Sequence, residues 1–259
     1  MLDTFDHPAN PDAPAAGSIR ELRLARPPVN ALNVELLRAI VTAVTAASQA
    51  AAIVVSGQPG MFSGGLDVRT MLTLDREALG ATFAELWRAQ RALAFSPAPV
   101  VFGITGHCPA GGTVLAIHAD YRVMAQGDFR IGLNEVQVGL LPGALISGAF
   151  RRLVGGHAAQ LLTRGALIDP AAALRTGLVD ELCAGTQVVD RALAVAREFC
   201  ALPRDPMLKT RQQTRADLQA LFGNPSHAML QEREFAAMGA EAWLAPATQE
   251  RLKKAFAKK

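Results

Sequence analysis

Glu135 stands alone. In "FRIGLNEVQVGLLPG", residues 129–143, it is the one acidic side chain among aliphatics, glycines and amides. The next acids are Asp128 just upstream and Asp169 far downstream, so no run of charge makes Glu135 part of a solvated face. Such a carboxylate is either a group placed for acid–base work, or a surface glutamate or buried ion-pair partner with Arg130, Arg151 and Arg152 as candidates. From these residues alone both readings stay open.

Two glycine-rich stretches offer chemistry of a second kind. "FSGGLD" follows Val54 and Val55, and "GHCPAGG" follows Val101 and Ile104. Glycine lets a backbone approach a ligand closely, and amides in the first turn of a helix lack intrahelical acceptors and sit at its positive end. Two such loops could share one anion. In either loop alone, Gly64, Gly65, Gly111 and Gly112 read equally as turns and close packing; the parallel between the loops is what points to function.

Neither loop matches GxGxxG or GxxxxGK[ST], and the chain has no GxSxG, so dinucleotide, P-loop and serine-hydrolase readings lose their signatures. Ser63 therefore reads as structural. Asp67 reads as a brace of the first loop through hydrogen bonds. His107 and Cys108, beside the second loop, read as packing, and His118, Asp120 and Tyr121 as structural.

These residues must be held by a folded domain, and the composition supplies one. The chain has 259 residues, 50% apolar and 19% charged, enough for one large domain or a domain with a helical appendage, and no apolar run reaches membrane-spanning length. With no basic region and apolar core at the N-terminus, a cytoplasmic protein is expected. Three cysteines without a CxxC pair and five histidines without metal spacing predict no disulfide and no metal. The net charge of +3, much of it in the terminal "RLKKAFAKK", argues against nucleic acid as a partner.

Residues 1–17, rich in Pro, Ala and Asp without a period, predict a flexible tail or at most an edge strand, with the domain starting near Ser18. "IRELRLAR" alternates as a strand, Asn33 caps a helix over "VELLRAIVTAVTAAS", and "AAIVVSG" is a short buried strand. "DREALGATFAELWRAQRALAFS" is helical until Pro97 and Pro99, "VVFGITG" is a strand, and "AGGTVLAIHAD" is a helix before "YRVMAQ". This alternation predicts an α/β fold. After Asp169 the pattern turns helical over "PAAALRTG", "VVDRALAVAREFCAL" and "PMLKTRQQTRADLQALF", with "LVDEL" the sole strand. The apolar faces of "VVDRALAVAREFCAL" and "ADLQALF" predict packing between protomers.

"PPVNALNVELL", "GMFSGGLDVRTM", "GHCPAGGTVLAIHADYRV", "FRIGLNEVQVGLLPG" and "AAALRTGLVDEL" follow one another in the order of the enoyl-CoA hydratase/isomerase (crotonase) superfamily, which the chain resembles over about residues 18–185. The resemblance implies a crotonase-like spiral of ββα units over 18–200, with a C-terminal helical trimerisation region over 201–259. It also implies a homotrimer or dimer of trimers acting on acyl-CoA thioesters, with no cofactor beyond the coenzyme A of the substrate.

By position in the family motifs, the amides of Leu66 and Gly111 would form an oxyanion hole, and Glu135 would be the acid/base, its pKa raised by an apolar pocket for the acyl chain. Gly64, Gly65, Gly112, Ser63 and Asp67 fall in the loops around that site. Arg26, Arg69 and the C-terminal lysines could reach the CoA phosphates. Because the last helix of family members often contributes to a neighbour's CoA site, Lys253 and Phe256 are further candidates.

The first glutamate of the hydratases falls at Val114 in this chain, and their second at Glu135. One carboxylate suits a proton shuttle better than water addition. "CPAGG" and "IGLNE", with Asn134 where hydratases have proline, resemble the mitochondrial-type Δ3,Δ2-enoyl-CoA isomerases. "LLPGALISGAF" keeps the turn of the hydratases, Gly64 replaces a common alanine, and Thr113 and Val114 differ from any one subgroup's usual choice. The hydratase and a non-catalytic acyl-CoA-binding protein are therefore the alternatives. The helix from Asp75 to Phe95 is expected to shape the acyl pocket.

Overall fold

The computed structural model describes residues 1–13 and 17–256. Strand β1 (Leu2–Pro8) pairs antiparallel with β2 (Ser18–Leu24), so the N-terminal segment is an edge strand of the main sheet and not a free tail. Asp6 with Arg20, and His7 with the buried Glu21, fix it there; alternation too weak to read in "LDTFDHP" is offset by these cross-strand pairs. Residues 14–16, the rest of the tail expectation, lie outside the described residues.

Helix α1 (Val34–Ala46) starts where the Asn33 side chain accepts from the Leu36 amide. Strands β3 (Ala52–Ser56) and β4 (Gly60–Met61) follow, then α2 (Val68–Met71) and the long α3 (Arg76–Ala94). The next turn is β5 (Val100–Ile104), β6 (Gly106–Pro109) and α4 (Gly111–Ala116). A third is β7 (Tyr121–Ala125), β8 (Ile131–Gly132), α5 (Gly143–Val154) and α6 (Ala158–Arg164).

With β9 (Leu167–Ile168) and β10 (Glu181–Cys183) added, each of these turns gives its first strand to a six-stranded sheet, ordered β1-β2-β3-β5-β7-β10, and its second to a four-stranded sheet, ordered β4-β6-β8-β9. This is a spiral of ββα units, as expected. The small-sheet strands run to four residues at most, and β9 (Leu167–Ile168), antiparallel to β8, is too short to leave a period in the sequence.

The strands β3 and β5 are buried throughout and apolar except for Ser56, because both faces are covered. Ile53, Val55 and Phe102 face the main core under α1 and α3. Ala52, Val54 and Val101 face a second core completed by Ala192, Leu193 and Ala196. Those last three lie on α8 (Val188–Cys200), which follows α7 (Pro170–Thr176) and β10 (Glu181–Cys183).

Two expectations are corrected here. The apolar face of α8 packs on its own chain's sheet and is not left over for another protomer. The helix expected over "PMLKTRQQTRADLQALF" breaks into α9 (Arg204–Thr214) and α10 (Ala216–Phe222), because Arg215 turns inward. Its guanidinium donates to the carbonyls of Ala94 and His118 and pairs with Asp120 at 2.9 Å, bonds unavailable to a side chain on a continuous surface helix. Leu218 and Phe222 of α10 are buried in the main core.

Helix α11 (Ala228–Leu244) then folds back along α3, with Trp243 edge-on to Phe83 at 6.2 Å and Glu232 paired with Arg88 at 2.6 Å, and α12 (Pro246–Phe256) ends the described chain. No helix among the described residues is long and apolar enough to cross a membrane.

Candidate active site

The two glycine loops meet. Leu32 and Leu66 form a parallel bridge in which the Leu32 amide donates to the Gly65 carbonyl and the Leu32 carbonyl accepts from the Asp67 amide. That pattern turns the Leu66 amide to the other side, where the second loop lies. A methyl group placed on Gly111 would sit 3.1 Å from the Leu66 nitrogen, and one on Gly65 would sit 3.2 Å from the Gly111 nitrogen. A side chain at either position would be crowded by the other loop, and Gly65 also has φ +86, which favours glycine.

Gly111 is the first residue of α4, so its amide has no intrahelical acceptor. Ala110 before it is held at φ 48 and ψ −119, a strained conformation for a residue with a side chain, by its own amide donating to the Gly132 carbonyl.

Glu135 opens a short 3₁₀ turn over Glu135–Val138, after β8 and closed by Gly139 at φ 85. The Oε2 atom of its carboxylate is buried with no hydrogen-bond partner. No ion pair reaches it among the described residues: Arg130 pairs with Asp128, and Arg152 with Asp217. Burial pushes its pKa up to about 7, against the smaller opposing pull of its own backbone amide. The ion-pair alternative left open by the sequence therefore has no partner here.

One cavity of about 1400 Å3 has Leu66, Gly111, Val114 and Glu135 in its wall. Arg26, Gly64, Asp67 and Phe256 of the expected set also line it. Four do not. Ser63 is fully buried, its hydroxyl donating to the Asn30 carbonyl and accepting from the Gly65 amide, so both groups serve the loop itself. Gly112 is buried against Cys108 and Ser63. Lys253 projects from α12 on the exposed side, away from the wall formed by Leu252, Ala255 and Phe256.

Asp67 is a brace. Its carboxylate caps α2 through the Thr70 amide and takes a 2.6 Å bond from Arg26; burial alone would raise its pKa, but these bonds hold it below the usual carboxylate range. Arg26 spends a second donor on the Ala31 carbonyl. His107 lies on the cavity wall with Nδ1 accepting from the Arg130 amide, edge-on to Phe129. His118 is buried beside Gln90, its pKa lowered to about 3 by burial and by Arg215 and Arg152, so it stays neutral.

Most of the apolar wall was not legible from the motifs. Phe83, Leu86 and Trp87 come from α3, as expected of that helix, but Phe222, Phe235 and Trp243 come from α10 and α11. Those residues meet α3 across some 140 residues of chain, and a helix carrying an apolar stripe does not name its partner. Among the described residues, no cluster of His, Cys, Asp and Glu could hold a metal ion.

The arrangement places around a single cavity two amides with no acceptor, and one carboxylate with no ion-pair partner, among the described residues. It can hold an anionic oxygen and move a proton beside it.

The model of the enoyl-CoA hydratase/isomerase family matches residues 15–242. The human mitochondrial enoyl-CoA delta isomerase 1 is 34% identical over 203 residues, 74% of this chain; the match spans only 65% of that protein's length. A probable enoyl-CoA hydratase, echA17 of Mycobacterium avium, is also 34% identical, over 79% of each chain. Among solved structures, that of the human mitochondrial delta3-delta2-enoyl-CoA isomerase superposes with a TM-score of 0.85 at 26% identity, covering 98% of this chain and 96% of that one. The sequence, the spiral and the meeting of the two loops agree: the chain belongs to the enoyl-CoA hydratase/isomerase family.

Proposed function

We propose that the protein is a Δ3,Δ2-enoyl-CoA isomerase acting in fatty acid oxidation. The observation that carries the reading is Glu135, whose Oε2 is buried without an ion-pair or hydrogen-bond partner, in the wall of a cavity whose other named position for an acid holds Val114. The Glu135 carboxylate takes the proton from C2 of a 3-enoyl thioester. The electron pair moves into the thioester carbonyl, giving a dienolate whose oxygen accepts from the amides of Leu66 and Gly111. Collapse of the dienolate takes the same proton back at C4, the C3=C4 bond becomes C2=C3, and Glu135 is again a carboxylate.

Preorganised amide donors of this kind contribute about 3–4 kcal/mol each to a transition state. No cofactor is needed beyond the coenzyme A of the substrate, whose phosphates would meet Arg26 and Arg69 at the mouth of the cavity.

Hydration is the second reading, favoured by the probable hydratase at equal identity. It needs a second group to deliver or accept a proton. The other carboxylates on the wall are Asp67, tied to Arg26, and the exposed Glu234. The test is to offer the unmodified protein 3-enoyl-CoA and 2-enoyl-CoA thioesters and measure both reactions by absorbance and mass. Isomerisation should exceed hydration; efficient hydration with no isomerisation contradicts the proposal.

A further inference from the structure

The tryptophan at position 87 belongs to two cavities. It lies on the inner face of α3, 4% exposed, and forms part of the wall of the 1400 Å3 cavity that holds Glu135. It also lines a separate groove of about 460 Å3 between α1, α3 and α11, whose apolar surface comes from Val41, Val44, Ala92, Phe95, Ala228 and Met229. The indole is the shared partition. Two neighbours hold its ring: Phe222 packs against it at 5.7 Å with the planes at 70°, and the Arg91 guanidinium lies over its face, 5.9 Å from the centroid.

Polar groups are not distributed evenly along the main cavity. Arg26, Asp67 and Arg69 cluster beside the first glycine loop, and Gln231 and Glu234 of α11 also reach the wall, while Leu86, Trp87, Phe222 and Phe235 between them offer a ligand no hydrogen-bonding group except a single indole N–H. A ligand with a charged head and a long unbranched hydrocarbon tail matches such a wall; a polar or short acyl group leaves the apolar part unfilled.

We infer that Trp87 is the end-stop of the acyl chamber: the enzyme takes long, saturated-tailed acyl groups up to the length at which the tail meets the indole, and the groove behind is an extension that the indole keeps closed. This rests on the acyl-CoA reading of the site. Trp87 is a specificity-determining residue and takes no part in moving the proton.

Binding of saturated acyl-CoA thioesters, which cannot isomerise, tests the inference apart from catalysis. Affinities are measured by calorimetry for even chains from about four to eighteen carbons, for the wild type, Trp87→Leu and Trp87→Phe. Each methylene buried should tighten binding about fourfold until the tail reaches the stop. In Trp87→Leu the gain should continue for at least two more carbons, making the first thioester beyond the wild-type limit bind about 15-fold tighter than it does to the wild type.

Trp87→Phe should move the limit less, and serves if the leucine variant does not fold. Adding Ala92→Phe to Trp87→Leu refills the groove and should restore the wild-type limit. An unchanged limit in a folded variant overturns the inference while leaving the acyl-CoA reading intact. Absence of acyl-CoA binding at every length in the wild type overturns the acyl-CoA reading and this one with it.

Discussion

Glu135 couples charge, burial and pH in one side chain. Its pKa is raised by burial to about 7, so the base form needed to remove a proton accumulates only as the pH rises through that value. The expected profile of kcat/KM for isomerisation climbs about tenfold per pH unit below about 7 and levels above it. The same shift acts on stability with a definite sign. The unfolded carboxyl ionises near its model value of 4.5, so the folded form binds more protons between 4.5 and about 7, and stability falls as the pH rises across that window. Glu135→Gln removes the titration; its Tm should exceed that of the wild type at pH 8, with the gap closing by pH 4. A gap independent of pH would mean that the carboxylate is not desolvated as the fold requires. The lone acid was visible in the sequence, but its freedom from Arg130 and Arg152 was not, because those arginines find Asp128 and Asp217 only in three dimensions.

At the scale of elements, α4 carries both halves of the argument, with the Gly111 amide at its first position and Val114 one turn in. Val114→Glu should raise the rate of water addition to a 2-enoyl-CoA relative to isomerisation, since it supplies the second acid at the position hydratases use; a ratio unchanged in a folded variant would remove that position from the chemistry. Val114 is 2% exposed, so the larger side chain must extend into the cavity to fit. Strands β2, β3, β5 and β7 and helices α1 and α3 were legible because burial on one or two faces writes a period or an apolar run into the chain. Strand β1 was not, since its side chains are mostly exposed, and the break at Arg215 was not, since a buried guanidinium looks like any surface arginine in a helical sequence.

The whole molecule depends on how the C-terminal helices are fastened to the spiral. Asp120, at the turn before β7, pairs with Arg211 at 2.8 Å and Arg215 at 2.9 Å, while both arginines also donate to carbonyls at the end of α3 and beyond: Ser96, Ala94 and His118. With side chains only 7–13% exposed, this ion cluster is nearly dry, and removing one partner of such a pair costs about 3–5 kcal/mol by leaving charge uncompensated. Asp120→Ala should lower stability on that scale in denaturant titration and loosen the α10–α11 roof of the acyl chamber; a loss below about 1 kcal/mol would show that the helices are held by apolar contacts alone.

Assembly belongs to this scale as well. With α8 and α10 buried in their own chain, a trimer or dimer of trimers now rests on the exposed Leu141, Met229, Leu230 and Met238. We expect sedimentation to give that mass at micromolar concentration, and a stable monomer would refute it.

The central claim is that one carboxylate moves the proton while the glycine loops hold the thioester. Glu135→Gln keeps the size and shape of the side chain and removes the base. Measured on a 3-enoyl-CoA, its isomerisation rate should fall by about 10²- to 10⁴-fold, with the Kd of a saturated acyl-CoA changed little. A rate within a few-fold of the wild type, in a variant that binds acyl-CoA normally, would contradict the account.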